Sequence, residues 1–301
     1  MKISRAITEL FSPFFYFNHY VNFIFKWHGL TLKTVKKDGF IIEYWESKNN
    51  KPNLLLLQAF AAESKYSWHK QIGSLAKKHH LIIPNLIYFG GSTMEPKSYA
   101  IADQVKAVQL LVDHLQLTSF ALSGSSYGGV IAIGLANQNK EKIEKMILTN
   151  GPIKYDSEED INAILVDFGL TEKAQLLVPE NYQQLHNLFG ISYHKKPPVP
   201  AFFFKGIHRN LYANSADKRK LVAKSSEELA LLRGIEYDFN FPILLIWGEE
   251  DRLAPLRIGK ALKADFGDNA ELVIMPKTAH MPNFEKPRAY NRIMNAFLDE
   301  D

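Results

Sequence analysis

The 301-residue chain contains no cysteine. Disulfide bridges, thiolate metal ligands and a cysteine nucleophile are therefore excluded, and the composition is compatible with a reducing, cytoplasmic compartment. Charge of one sign is also missing. The 36 basic residues face 32 acidic ones for a net charge of +4. No basic run or nucleic-acid-binding motif accompanies that balance, so nothing points to a nucleic-acid partner. There is no internal repeat and no low-complexity tract. No small-residue cleavage site of a secretory signal is present, nor an apolar stretch suited to spanning a bilayer. What is there is 46% hydrophobic and 23% charged residues. That describes an ordinary globular chain, long enough for one large domain or a core with an inserted lobe.

Residues 1–28 form a segment of their own character. Between Phe11 and Trp27 lie Phe14, Phe15, Tyr16, Phe17, Tyr20, Phe23 and Phe25, interrupted by Asn18, His19, Asn22 and Lys26. Aromatic rings between polar residues suit a helix lying flat at a membrane interface, which implies peripheral membrane contact. The same pattern suits a helix that packs on the protein's own surface or lines an apolar entrance. The second reading is the preferred expectation.

Beyond it, Thr31–Val35 and Phe40–Glu46 read as two strands around Asp38-Gly39, a hairpin signal. Leu54–Leu57, Leu81–Ile83, Phe120–Leu122, Lys145–Thr149, Ile243–Trp247 and Leu272–Met275 are short apolar runs of the kind buried in parallel sheets. Helical patterns lie between them, at Tyr66–Ala76 and Ile101–Leu115 among others. The alternation predicts an α/β fold with a mostly parallel sheet and helices on both faces. It breaks between Pro152 and Asn240, where no βαβ unit is legible. The expected division is therefore a core of residues 29–151 and 241–301 with a helical lid inserted at 152–240.

Gly124-Ser125-Ser126-Tyr127-Gly128-Gly129 is the most informative stretch. It joins an apolar strand to a helical run from Val130 to Asn137, the setting of a nucleophile elbow. Residues two before and two after a serine in so sharp a turn must be small. Gly124 and Gly128 satisfy this for Ser126. For Ser125 the flanking pair would be Ser123 and Tyr127, and the tyrosine would collide with the turn. A serine nucleophile needs a base, and the base needs an orienting carboxylate. Ile243–Trp247 runs into Gly248-Glu249-Glu250-Asp251, where Asp251 is the best acid candidate and Glu249 and Glu250 remain open. Leu272–Met275 runs into Pro276-Lys277-Thr278-Ala279-His280. Of ten histidines, His280 alone follows both serine and acid in a loop leaving a strand; His186, His194 and His208 fall in the expected lid.

These segments resemble the α/β-hydrolase superfamily, from about Thr31 to Phe297. Within it the chain is most similar to monoacylglycerol-lipase-type serine hydrolases and their plant and bacterial relatives, on the loop Asn85–Ser92 and on the segments carrying Asp251 and His280. The resemblance implies Ser126, Asp251 and His280 as a catalytic triad for cleaving a carboxylic ester of an apolar substrate. It implies no metal and no organic cofactor. It also implies backbone oxyanion donors at Phe60 and Tyr127. Two departures stand out. Gln58-Ala59-Phe60 replaces the family's His-Gly-x, and alanine lacks glycine's conformational freedom, so a weakened oxyanion hole is one expectation. Asn85 replaces an aspartate, with a structural effect expected. Hydrolysis of a carbon–carbon bond in ring-cleavage products, and an inactive binding protein, are the alternatives.

Overall fold

The computed structural model describes residues 13–60, 62–151, 158–212, 215–231 and 237–300. The start of the aromatic segment (1–12) and parts of the expected lid (152–157, 213–214 and 232–236) lie outside the described residues. A nine-stranded sheet runs in the order β1-β2-β4-β3-β6-β7-β8-β9, with β5 on β2. The strands are β1 Leu30–Lys37, β2 Phe40–Ser47, β3 Asn53–Leu57, β4 His80–Pro84, β5 Thr93–Met94, β6 Phe120–Ser125, β7 Ile143–Thr149, β8 Ile243–Gly248 and β9 Ala270–Met275. The pairs β1–β2, β2–β4 and β2–β5 are antiparallel. From β4 to β9 the pairing is parallel. The chain is an α/β-hydrolase fold.

Period-two alternation explains why the central strands read as continuous apolar runs: both faces of the sheet are buried. Leu55, Leu57, Leu122, Leu148 and Leu245 pack on one side, under the helices Ile101–His114, Tyr127–Gln138 and Leu256–Phe266. Leu54, Leu56, Ala121, Ile147 and Leu244 pack on the other, under the N-terminal helix Pro13–Trp27 and the C-terminal helix Pro287–Asp299. The β1–β2 hairpin closes through Asp38 and Gly39, both left-handed at φ 50° and 82°. A two-residue turn of that kind matches the strands' twist. Between β7 and β8 the described residues form five helices and no strand: Glu158–Asp167, Lys173–Leu177, Tyr182–Ser192, Ala201–Leu211 and Ser215–Leu231.

The helix expected over Tyr66–Ala76 is a correction. It is two short helices, Ser64–Trp68 and Ile72–Leu75, separated by a turn at His69–Gln71. Side chains of the C-terminal region take the carbonyls that would continue it. Asn283 Nδ2 donates to Ser67 O and Asn291 Nδ2 to Lys70 O, each at 3.0 Å. Tertiary hydrogen bonds here outcompete a weak local preference.

The N-terminal helix has two different faces. Val21 and Phe25 are fully buried, and Phe25 meets Trp45 edge-on with ring centroids 5.0 Å apart. Tyr16, Tyr20, Phe23 and Trp27 are exposed on the opposite side. The helix is thus part of the folded body rather than an appendage. Phe25→Ala should cost about 3–5 kcal/mol, read as a lower midpoint in chemical denaturation; a loss under about 1 kcal/mol would mean that the helix is not docked in solution.

Candidate active site

Ser126 stands between β6 and the helix Tyr127–Gln138 with φ 49° and ψ −118°, a backbone conformation that L-residues rarely adopt. Sterics in the turn account for its glycines. A Cβ at position 124 would lie 2.4 Å from Gly128 O, and one at position 128 would lie 2.5 Å from Gln58 O. The Ser126 N–H donates to Thr149 O at 2.8 Å, tying the elbow to the end of β7. Ser125, by contrast, remains a β6 residue paired opposite Thr149.

His280 links the serine to a carboxylate. Its Nε2 is 2.9 Å from Ser126 Oγ, and its Nδ1 is 2.8 Å from Asp251 Oδ2. A carboxylate only accepts, so Nδ1 carries the hydrogen and Nε2 presents its lone pair to the hydroxyl. The Asp251 side chain is wholly buried, and its other oxygen accepts from the N–H groups of Leu253 at 2.8 Å and Ala254 at 2.9 Å. Of the three neighbouring acids, Asp251 is the one that meets His280. Glu250 is exposed and pairs with His194 Nδ1 at 2.5 Å; Glu249 is exposed and accepts from Lys277 N at 3.3 Å. Neither meets His280. His186 pairs with Lys196, and His208 with Pro179 O.

Three residues that position this set were not singled out from the sequence. Asn150, left-handed at φ 47°, is fully buried just past β7. Its Oδ1 accepts from Gly248 N and its Nδ2 donates to Ala279 O, both at 3.0 Å. It therefore joins the acid-bearing and histidine-bearing loops. Gly248 lets those loops close up, since a Cβ there would sit 1.9 Å from Ala279 O. Glu285 accepts from Ala279 N at 2.7 Å and from His194 N at 2.8 Å, fastening the histidine loop to the helical segment. The Asn150-Gly151 pair following a strand was the available signal for the first, because asparagine tolerates the left-handed region.

Ala59 lies outside that region. The alanine in place of the usual glycine therefore carries no left-handed strain. Gln58 is fully buried; its amide donates to Ala62 O, and its oxygen accepts from Leu86 N at 3.4 Å. It thus braces the Phe60 loop from inside. The rings of Phe60 and Tyr127 meet edge-on at 5.7 Å. Tyr127 opens the elbow helix, where its N–H has no intrahelical acceptor. At the second departure, Asn85 Nδ2 donates to Glu43 Oε1 at 2.7 Å while its Oδ1 accepts from Ser64 N at 2.8 Å. An aspartate there would set two carboxylates against each other.

A cavity of about 380 Å³ opens over the serine. Ala59, Phe60, Ser126, Tyr127 and His280 line its floor; Leu185, Leu188, Phe203 and Ile207 line one wall, and Phe14 and Phe17 of the N-terminal helix line another. Burial pushes the Tyr127 and Tyr193 hydroxyls well above the ordinary tyrosine value, so both stay neutral. Among the described residues, no group of three or more acidic or histidine side chains is arranged to hold a metal ion. Chemically, the cavity offers a hydroxyl with an oriented base in a largely apolar setting.

A family model for the alpha/beta hydrolase fold matches residues 52–287, and the chain belongs to that family. Its similarity to the uncharacterized hydrolase YugF of Bacillus subtilis is 28% identity over 87% of this chain and 95% of that protein. Epoxide hydrolase 3 of Xenopus tropicalis is 23% identical over 89% of this chain and 77% of its own length. The crystal structure of a bacterial membrane phospholipase A superposes with a TM-score of 0.85 at 22% identity, over 99% of this chain and 95% of that one, and shows the shared fold. Lipase 3 of a Moraxella species and 2-hydroxymuconate semialdehyde hydrolase of a Pseudomonas species stand among the other relatives.

Asn150→Leu leaves Gly248 N–H and Ala279 C=O without partners, each orphan costing about 1–3 kcal/mol. The melting temperature should fall by roughly 2–4 °C for each kcal/mol lost, with faster amide exchange around Ala279. An unchanged melting temperature would show that the two loops hold each other without it.

Proposed function

We propose that this hydrolase is a serine esterase or lipase that cleaves a carboxylic ester of an apolar substrate, monoacylglycerol-like in build, through an acyl-enzyme. The observation that carries the reading is the hydrogen-bonded chain Ser126–His280–Asp251 on the floor of an apolar cavity. His280 Nε2 takes the hydroxyl proton as Ser126 Oγ attacks the ester carbonyl. The N–H groups of Phe60 and Tyr127 receive the oxyanion. The imidazolium returns its proton to the leaving alcohol, and water activated by the same nitrogen releases the acid. Asp251 holds the ring and offsets its charge through both steps. The helices between β7 and β8 act as the lid, their aliphatic and aromatic side chains receiving the acyl chain. No step requires a metal or organic cofactor.

Ser126→Ala should lower kcat on a short-chain ester by about 10⁴-fold or more, and Asp251→Asn by roughly 10⁴-fold, with KM little changed. Wild-type turnover of a ring-cleavage dienoate with none of any ester would instead favour carbon–carbon hydrolysis; one relative is named a 2-hydroxy-6-oxo-6-phenylhexa-2,4-dienoate hydrolase. Epoxide hydrolysis fits less well, because Ser126 stands where an attacking aspartate would be needed.

The outer face of the Pro13–Trp27 helix supports contact with a lipid surface. Tyr16, Tyr20, Phe23 and Trp27 recur every third or fourth residue and form one exposed stripe, while Phe14 and Phe17 on the other side line the cavity. Docked through the stripe, the helix would bring the cavity close to the lipid. Among the described residues no helix is long and apolar enough to cross a membrane, so contact would be peripheral. Full-length protein should co-sediment with phospholipid vesicles, and Phe23→Ser with Trp27→Ser should reduce the bound fraction several-fold. Equal binding by both proteins would remove the stripe as the anchor.

A further inference from the structure

The cavity over Ser126 is lined by polar as well as apolar groups. The helices between β7 and β8 line it mostly with aliphatic and aromatic side chains, alongside Lys173, Ser192, Ser225 and Ser226. From the two short helices after β3 and the turn between them, Ser67, His69 and Lys70 add further polar groups to the lining. This polar corner is fastened to the loop that carries His280. Asn283 Nδ2 donates to Ser67 O, Gln71 Nε2 donates to Asn283 O, and Lys70 Nζ donates to Phe284 O, each at 3.0 Å. The His69 ring also meets Phe284 edge-on at 5.5 Å.

The chemistry of ester cleavage gives that placement a meaning. One imidazole nitrogen serves both steps of the first half-reaction: it accepts the serine proton and then delivers it to the departing alkoxide oxygen. The leaving alcohol must therefore lie on the His280 side of the serine. The acyl chain then extends away from His280, into the apolar remainder of the lining. Ser67 to Lys70, which line the cavity and pack on the segment just after His280, are among the alcohol's neighbours.

His69 is the one whose hydrogen-bonding state is fixed by its surroundings. The ring is buried, and its Nδ1 lies 2.9 Å from Tyr66 O. A carbonyl oxygen only accepts, so Nδ1 bears the hydrogen and Nε2 is left as an acceptor. Burial, and to a smaller extent the charge of Lys70, push its pKa below the ordinary histidine value, which keeps the ring neutral. Nε2 has no hydrogen-bond partner among the described residues. The edges of Phe17 and Phe284 flank the ring and hold its orientation, each with centroids 5.5 Å away.

On the reading of this chain as a serine esterase, we propose that Ser67, His69 and Lys70 form the subsite for the leaving alcohol, and that His69 Nε2 accepts a hydrogen bond from a free hydroxyl on it. The preferred substrates are then fatty esters of alcohols that keep a second hydroxyl after esterification. Simple alkyl esters fill the same space but leave the nitrogen without a donor.

An isosteric pair tests this directly: 2-hydroxyethyl octanoate and propyl octanoate differ by a hydroxyl in place of a methyl group. Wild-type protein should show a kcat/KM ratio favouring the hydroxyl ester by roughly 3- to 10-fold, the size expected of one neutral hydrogen bond. His69→Phe keeps an aromatic ring between Phe17 and Phe284 and removes the acceptor, so the ratio should collapse to about 1. His69→Gln restores an acceptor oxygen and should recover part of it. A wild-type ratio near 1, a ratio unchanged in His69→Phe, or equal loss on both esters in the Phe and Gln variants would overturn the assignment. Folded wild-type protein that hydrolyses neither ester would overturn the esterase reading and the subsite with it; turnover of both without discrimination would overturn the subsite alone.

Discussion

Everything at the site depends on the backbone of Ser126 being held in the left-handed region. A non-glycine residue in such a conformation costs of order 1–3 kcal/mol, and persists only where the surroundings over-determine it. Here they do. Gly124 and Gly128 remove the side chains that would fill the turn, and the Ser126 N–H is fixed on Thr149 O. The elbow helix packs against the sheet through fully buried Ile131, Leu135 and Ala136, so the turn cannot relax without disturbing the core. The strain stands the serine at the strand ends, where the loops after β8 and β9 can reach it.

That reach is itself a packing problem. His280 and Asp251 come from loops after adjacent parallel strands, and the two backbones approach so closely at Gly248 and Ala279 that no Cβ fits between them. Asn150 satisfies one polar group of each loop, and Glu285 holds the histidine loop from the far side. The imidazole is thereby placed by backbone contacts on several sides rather than by its carboxylate alone. Second-tier contacts of this kind set how precisely reacting groups meet, and small misplacements are costly in rate.

Much of the site was legible because its chemistry is written in local rules. Glycines two residues either side of a serine, an acid after one strand and a histidine after the next need no tertiary knowledge to recognise. Among Glu249, Glu250 and Asp251 the sequence favoured Asp251 but left the other two open, because adjacent carboxylates look alike until the N–H groups of Leu253 and Ala254 fold back on one of them. The break at His69–Gln71 was hidden for a similar reason: its cause, Asn283 and Asn291, lies over two hundred residues away in sequence. Replacement of His-Gly by Gln58-Ala59 looked like a threat to the oxyanion loop. In place, Ala59 adopts a backbone that alanine tolerates, and Gln58 bridges the loop with its own amide. The aromatic N-terminal segment admitted two readings because it has two faces, one lining the cavity and one left to solvent.

The central claim is that Ser126 is an activated nucleophile, and a fluorophosphonate probe tests it with least intervening assumption. Such a probe is attacked by an activated serine and leaves a stable phosphonyl adduct that peptide mass spectrometry can locate. The account predicts one adduct, on the peptide containing Ser126, absent from Ser126→Ala and slowed when His280 is replaced. A folded protein that stays unlabelled while a control serine hydrolase reacts, or a label that persists in Ser126→Ala, would contradict it.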